Sequence, residues 1–388
     1  MQVGAVLVLG GGVGNGVSQA AIRNYFPQAM PSFFGAPATM LDLLGEPILY
    51  RIIENLRKSG VGPIFLVTDD VFASHVVVRE ISRWRVHVRN APGEELWTAI
   101  QDALTNCRES GTYATIVMQA SKYVELDVAE MLQFHRATGQ LVTSVRDSSG
   151  PLGITMVGNE STEQFMLPGR RAPQTTPLDY MHHQYANRLA TPQDLRRLAQ
   201  DALLRRCSIQ PNGSEVRPGV WVAPSARLHP RARVVDPAYI GAHTLLRSGV
   251  VITRCTSVEH HCEVDRGSVV ENATILPHTY VGSSLDIAHA IVNRNIMVDV
   301  RRAVEVEIGD RSLIGSTSPL PVYAPGPSSV SSLPFSGRSP WRMLNGALSA
   351  FLPNRPLPSP ASVRFSYNAS EGRPRLREVP GTGNSRTV

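Results

Sequence analysis

The first residues able to build a binding site are a glycine cluster, Gly10-Gly11-Gly12-Val13-Gly14-Asn15-Gly16, directly after a short apolar run. Residues without a Cβ let successive backbone N–H groups close on an anion, so this turn suits a phosphate. A dinucleotide fold would want Gly-x-Gly-x-x-Gly opening a helix and an acid closing the second strand. Asp69 meets the second condition. The first is not met, because an apolar loop through Phe33-Phe34 follows the glycines. A second group with chemical potential lies far along the chain. His243 and His261 are 18 residues apart, and so are His260 and His278. In a chain that coils every 18 residues, each pair stacks on successive coils. Such histidines could ligate a metal or serve an acyl transfer. The simpler expectation is an outward ladder, since no long loop interrupts the coils to build an acyl-donor site. Cys107, Cys207, Cys255 and Cys262 form no CxxC pair, and two of them sit within the repeat, so free thiols in a reducing compartment are expected.

The coil is read from the sequence in steps of six. Val222, Leu228, Val234, Ile240, Leu246, Ile252, Val258, Val264, Val270 and Leu276 are all aliphatic. Four residues after each stand Ala226, Ala232, Ala238, Thr244, Val250, Thr256, Cys262, Ser268, Thr274 and Tyr280, nine of them small. Neither a 3.6-residue nor a two-residue period sustains this pattern. A triangular coil does, with one hexapeptide per face and three faces per turn. The reading is a left-handed parallel β-helix of hexapeptide repeats, whose ends need covering by neighbouring elements or another subunit. The register is expected to slip at Gly282, leaving 285–314 as an irregular last coil or cap.

Ahead of the coil, apolar runs alternate with helical spacing. Residues 3–9, 64–67 and 115–118 read as buried strands, and 47–59, 97–104 and 126–138 as helices. That alternation implies a parallel α/β sheet with its ligand at the carboxyl ends of the strands. The organisation expected is an α/β domain over 1–205, the β-helix over 206–315 and a tail over 316–388. The tail holds 12 of the 29 prolines with much Ser, Gly and Arg, a composition read as disordered apart from a short amphipathic stretch at 341–352. The sequon at Asn368 carries no weight without signs of secretion.

Composition excludes several roles. The net charge of +6 comes almost wholly from arginine, Lys58 and Lys122 being the two lysines of the chain. No stretch clusters arginine with stacking aromatics, so no nucleic-acid partner is expected. No apolar run approaches the roughly 20 residues of a membrane span. Met1-Gln2-Val3-Gly4 has no basic leader character, and a cytoplasmic location is expected.

A glycine-turn α/β domain followed by hexapeptide repeats resembles the sugar-1-phosphate nucleotidyltransferases, nearest the mannose-1-phosphate guanylyltransferase branch, over about residues 1–310. Leu9-Gly10-Gly11-Gly12-Val13-Gly14-Asn15-Gly16 lines up with the family's L-A-A-G-x-G-T-R. Pro37-Ala38-Thr39-Met40-Leu41-Asp42-Leu43-Leu44-Gly45-Glu46-Pro47 lines up with P-K-P-L-L-P-V-x-G-K-P. Met118-Gln119-Ala120-Ser121 meets the strand ending in G-D, and Arg188-Leu189-Ala190-Thr191-Pro192-Gln193-Asp194 meets D-I-G-T-P-x-D. The resemblance implies a Rossmann-like GT-A domain, Mg²⁺, and a reaction of NTP with sugar 1-phosphate giving NDP-sugar and pyrophosphate. It implies a nucleotide or phosphate site at Gly10, Gly11, Gly12, Gly14 and Asn15, with Gly93 in the turn that touches the base. Glu94 and Glu95 beside it suit the start of a helix instead.

The framework residues match and the chemical ones differ. The family's triphosphate-holding arginine falls on Gly16 and its clamping lysine on Ala38. Its two metal-holding aspartates fall on Ser121 and Arg188. The 146–188 region is short for a sugar lid, with Pro168-Gly169-Arg170-Arg171 as the nearest counterpart of its Glu-Lys-Pro turn. Joining two phosphates needs their repulsion cancelled, and Mg²⁺ wants anionic oxygens. Each 1.36 kcal/mol lost from that stabilisation is tenfold in rate. The expectation is therefore no catalytic set and no resident metal. Lys122 and Arg188 could instead stand in for the metal's charge and hold a nucleotide-sugar or NTP, or be ordinary structural charges. Three roles follow. The first is a regulatory or scaffold subunit, or nucleotide-sugar binder, that pairs with itself or with an active paralogue. The second is an active Mg²⁺ enzyme using Asp42, Asp69, Asp70, Glu125 or Asp127. The third is a β-helix acyltransferase.

Overall fold

The computed structural model describes residues 2–10, 30–69, 85–92, 95–161 and 179–317. They fall within one compact unit, Met1–Ala324. The glycines after Gly10, the 70–84 and 162–178 segments, and the proline-rich residues from 318 onward, with the 341–352 stretch and Asn368, lie outside the described residues.

The first half is built on a seven-stranded sheet. Its strands are β1 (Val3–Leu9), β2 (Ile64–Thr68), β3 (Val86–Asn90), β4 (Ala114–Gln119), β5 (Val142–Asp147), β6 (Gly150–Gly158) and β7 (Tyr180–Met181). They run in the order β7-β5-β6-β4-β1-β2-β3. Every residue of β1 is buried. Val3, Ala5, Leu7 and Leu9 face one apolar cluster, and Val6 and Val8 face another. A strand covered on both faces reads as the unbroken apolar run seen here. Helices α1 (Ile48–Lys58), α3 (Val128–Thr138) and α4 (Pro192–Leu203) pack in the first cluster, and α2 (Leu96–Glu109) in the second.

The sheet is not wholly parallel, as the alternation had implied. Strands β4, β1, β2 and β3 pair in parallel, but β6 runs antiparallel to both β4 and β5. The cause is the turn Asp147-Ser148-Ser149-Gly150. Asp147 Oδ1 accepts from Ser149 N at 2.8 Å, and Gly150 takes φ +121°. A turn this short leaves no room for a crossover, so the strands must reverse. Strand β3 and helix α4 also lay beyond the elements expected. Helix α4 has a clear local signal: Thr191 and Asp194 form a capping box with Pro192 in the first turn.

The second half is a parallel coil with three sheets, one per face. Val220, Ala238 and Thr256 stack at intervals of 18, as do Arg233, Val251 and Val269. Then one residue drops out. Ser257 pairs with Thr274 and Glu263 with Tyr280, both at 17. The slip therefore falls between Glu271 and Thr274, ahead of the expected Gly282. It moves Ile275 into the coil interior and turns Leu276 outward against the α/β cluster. It also explains Tyr280 among the small residues, because the buried Thr279 takes that place. After Ala290–Asn293 the chain folds back in two antiparallel strands, Ile296–Asp299 and Val304–Glu307. Ile314–Ser316 closes antiparallel on Thr279–Val281.

One lateral face of the coil is covered by the α/β part. Ala238–Ile240 and Thr256–Val258 are buried at every position, whereas Val251–Thr253 and Val269–Glu271 bury only their inward residue. Tyr239, Leu276, Ile291 and Val298 join the same apolar cluster as α1 and α4.

Candidate functional site

The carboxyl ends of β1, β2 and β4 converge beside Gly10. The Gly10 carbonyl accepts from Gln119 Nε2 at 3.3 Å, and a Cβ added at Gly10 would meet the buried Asp69 carboxylate at 2.8 Å. Ser121 Oγ lies 3.4 Å from Gln119 Oε1. Thr39 Oγ1 donates to the Ala120 carbonyl at 2.8 Å, which brings buried Ala38 to the same strand end. A short ladder pairs Tyr123–Val124 with Ala186–Asn187 and sets Lys122 and Arg188 side by side. The structure thus gathers Gly10, Ala38, Ser121, Lys122 and Arg188 at one end of the sheet. Gly11, Gly12, Gly14, Asn15, Gly16 and Gly93 lie outside the described residues.

The two cations are held differently. Lys122 is 4% exposed, and its Nζ donates to the Leu152 carbonyl at 3.1 Å. Burial lowers its pKa to about 8, with Arg188 adding to the fall and Asp147 opposing it. Arg188 donates to Asp147 Oδ1 at 2.5 Å and to the carbonyls of Gly150 and Pro151, each at 3.2 Å. It therefore clamps the β5–β6 turn. Asp147 was not singled out from the sequence, because a hairpin brings it to Arg188 across 41 residues.

The spare carboxylates are mostly engaged in structure. Asp127 caps α3 by accepting from Glu130 N at 2.9 Å. Glu125 accepts from Tyr123 Oη at 3.0 Å and from Ser208 N at 2.5 Å. Asp42 faces the coil, bonded to His260. Asp70 lies outside the described residues. Of these acids Asp69 is the one placed beside Gly10. Glu95 stands at the start of α2 without a side-chain bond to its first turn.

The junction of α/β part and coil is polar at its centre. Glu259 is fully buried; its Oε1 accepts from Leu44 N at 2.9 Å and its Oε2 from Gly45 N at 2.8 Å. Desolvation, with Asp42 adding, pushes its pKa up to about 7 despite those two donors. Gly45 takes φ +95°, and a Cβ there would strike Tyr239 Oη at 2.3 Å. Gly241 is likewise required, since its Cβ would meet the Glu259 carbonyl carbon at 2.5 Å. Glu259 was missed, although a signal existed: it follows Ala223 and Gly241 at intervals of 18, an acid where the coil otherwise keeps small residues.

The histidine ladder differs from the expected pairs because of the register slip. His243 and His261 do lie on successive coils ring against ring, with centroids 4.8 Å apart and planes tilted by 33°. His278 then stacks on His261 at 5.0 Å, and His260 meets both edge-on at 5.1 and 5.3 Å.

No protein-family model matches the chain. It is similar to the bifunctional protein GlmU of Pelobacter propionicus, 30% identical over 88 residues. That stretch is 22% of this chain and 19% of the relative, so the chain spans less than a fifth of the protein it matches. Among the described residues no helix is long and apolar enough to cross a membrane.

Proposed function

We propose that this chain is a nucleotidyltransferase-type protein of nucleotide-sugar metabolism, acting in the cytoplasm, in which a GT-A-like domain precedes a left-handed β-helix. It holds a nucleotide-sugar or NTP without turning it over and serves as a regulatory or scaffold subunit, with itself or with an active paralogue. One observation carries this reading. Where the resembling family places a lysine and two metal-binding aspartates, this chain has Ala38, Ser121 and Arg188, and they converge on one strand end. Arg188 there is bound to Asp147 and repels a divalent cation, and a serine hydroxyl is a poor ligand for Mg²⁺. Cations in place of a metal still attract a diphosphate.

Calorimetric titration with GDP-mannose tests this. Binding should be unchanged by EDTA and weakened about tenfold or more in Arg188→Ala, a cost of about 1.4 kcal/mol. Heat-silent titrations with GDP-mannose and with a panel of other nucleotide-sugars and NTPs would contradict it. The second reading, an active Mg²⁺ enzyme, is favoured by Asp69, a buried carboxylate packed against Gly10. Under that reading chelator abolishes both binding and turnover, and Asp69→Asn does the same.

A further inference from the structure

The coil corner facing the Asp42–Pro47 hairpin carries imidazoles at a spacing that general coordination chemistry recognises. His260, His261 and His278 each offer one ring nitrogen, and these three atoms lie within 4.8 Å of one another. Two come much closer, with His260 Nδ1 2.9 Å from His261 Nδ1. His260 Nε2 is 3.0 Å from Asp42 Oδ2. A carboxylate only accepts, so Nε2 carries the hydrogen and neutral His260 turns a lone pair toward His261. Two ring nitrogens that face each other this closely must share either a proton or a cation. Around a tetrahedral ion with bonds of about 2.0–2.1 Å, neighbouring nitrogens sit about 3.3 Å apart. The observed pair needs only a small opening to reach that value.

We propose that His260, His261 and His278 bind a borderline divalent cation of the Zn²⁺ class, with Asp42 orienting His260 from behind. Imidazole selects Zn²⁺, Ni²⁺ or Cu²⁺ over Mg²⁺ and Ca²⁺. The arrangement of carboxylate, histidine and cation fixes the tautomer and raises the basicity of the ligand nitrogen. The backbone is committed to the site as well. His261 and His278 adopt φ +55° and +59°, a left-handed corner that the coil repeats and that aims both rings the same way. His261 also borders an open groove of about 590 Å³, shared with His243, Glu263 and Thr317, through which a hydrated ion can arrive. Asp42 belongs to the hairpin of the α/β part and the histidines to the coil, so the cation would tie one to the other.

Untagged protein is stripped with chelator, then titrated with Zn²⁺ against a chromophoric competitor and separately with Co²⁺. We expect one ion per chain, visible absorption of the tetrahedral Co²⁺ type, and a melting temperature raised by Zn²⁺. His261→Asn and His278→Asn, which keep a residue tolerant of positive φ, should each weaken Zn²⁺ at least tenfold. Asp42→Asn should weaken it about 10- to 100-fold. Absence of stoichiometric Zn²⁺ binding would overturn the proposal and leave a proton shared between His260 and His261. So would equal affinity in the His261→Asn/His278→Asn double variant with its fold intact by circular dichroism.

Discussion

Lys122 and Arg188 show how little of a site's chemistry a residue type decides by itself. Both are cations at one strand end, yet one is buried on a carbonyl and the other faces a carboxylate. The pKa of Lys122, lowered to about 8 mainly by burial, gives a signature. An anion beside it raises that pKa, so binding near pH 8 takes up protons, and the calorimetric heat there depends on the buffer's ionisation enthalpy. By pH 6 the lysine is already charged, so the uptake disappears, as it does in Lys122→Met. Asp147→Asn removes the carboxylate that competes for Arg188. If Arg188 serves the ligand, nucleotide-sugar affinity rises about fivefold, about 1 kcal/mol, as expected for a partly exposed ion pair. If it only clamps the turn, affinity stays the same or falls. The sequence made Lys122 and Arg188 visible by their place in the motifs. It could not show their partners, because Asp147 and Leu152 arrive through a hairpin that the alternating pattern did not announce.

At the scale of elements, the contact between helix and coil governs how the parts are joined. Arg196 of α4 is 2% exposed and donates to the carbonyls of Cys255 and Asn272, at 2.5 and 3.1 Å, and to the Asn272 side chain at 2.9 Å. Glu259 answers from the coil side with its two backbone donors. Glu259→Ala would leave the buried N–H of Leu44 and the half-buried N–H of Gly45 without their acceptor, and we expect a loss of about 2–4 kcal/mol. Chemical denaturation of the two proteins side by side reads that loss directly, and a change under about 0.5 kcal/mol would mean water replaces the carboxylate. Gly241→Ala should be as damaging, because the added methyl meets backbone that cannot move aside. The hexapeptide period was legible to within one residue over the whole coil, since each face repeats the same steric demand. The deletion between Glu271 and Thr274 was not, because Ile275 and Leu276 are equally aliphatic and either satisfies the count. Its consequence, the realignment of His278 onto His261, followed only once strand pairing was known.

For the molecule as a whole, the α/β part and the coil share one apolar cluster, running from Leu7 and Leu49 through Leu198 to Tyr239 and Ile291. Such continuity predicts a single cooperative unfolding transition for this unit, and two separated transitions in calorimetry would contradict it. The strand alternation and the repeat showed the order of the two parts, but which coil face is covered depended on outward residues such as Tyr239 and Ser257, whose burial no period encodes. Under the proposed function, Ser121 and Arg188 stand where divalent catalysis needs paired acids, and among the described residues Asp69 is the carboxylate placed beside Gly10. The most direct measurement is release of pyrophosphate by the purified protein, offered NTPs, sugar 1-phosphates and Mg²⁺ together. We predict release no faster than the protein-free mixture for every pair. Sustained release that stops when EDTA is added would contradict the account.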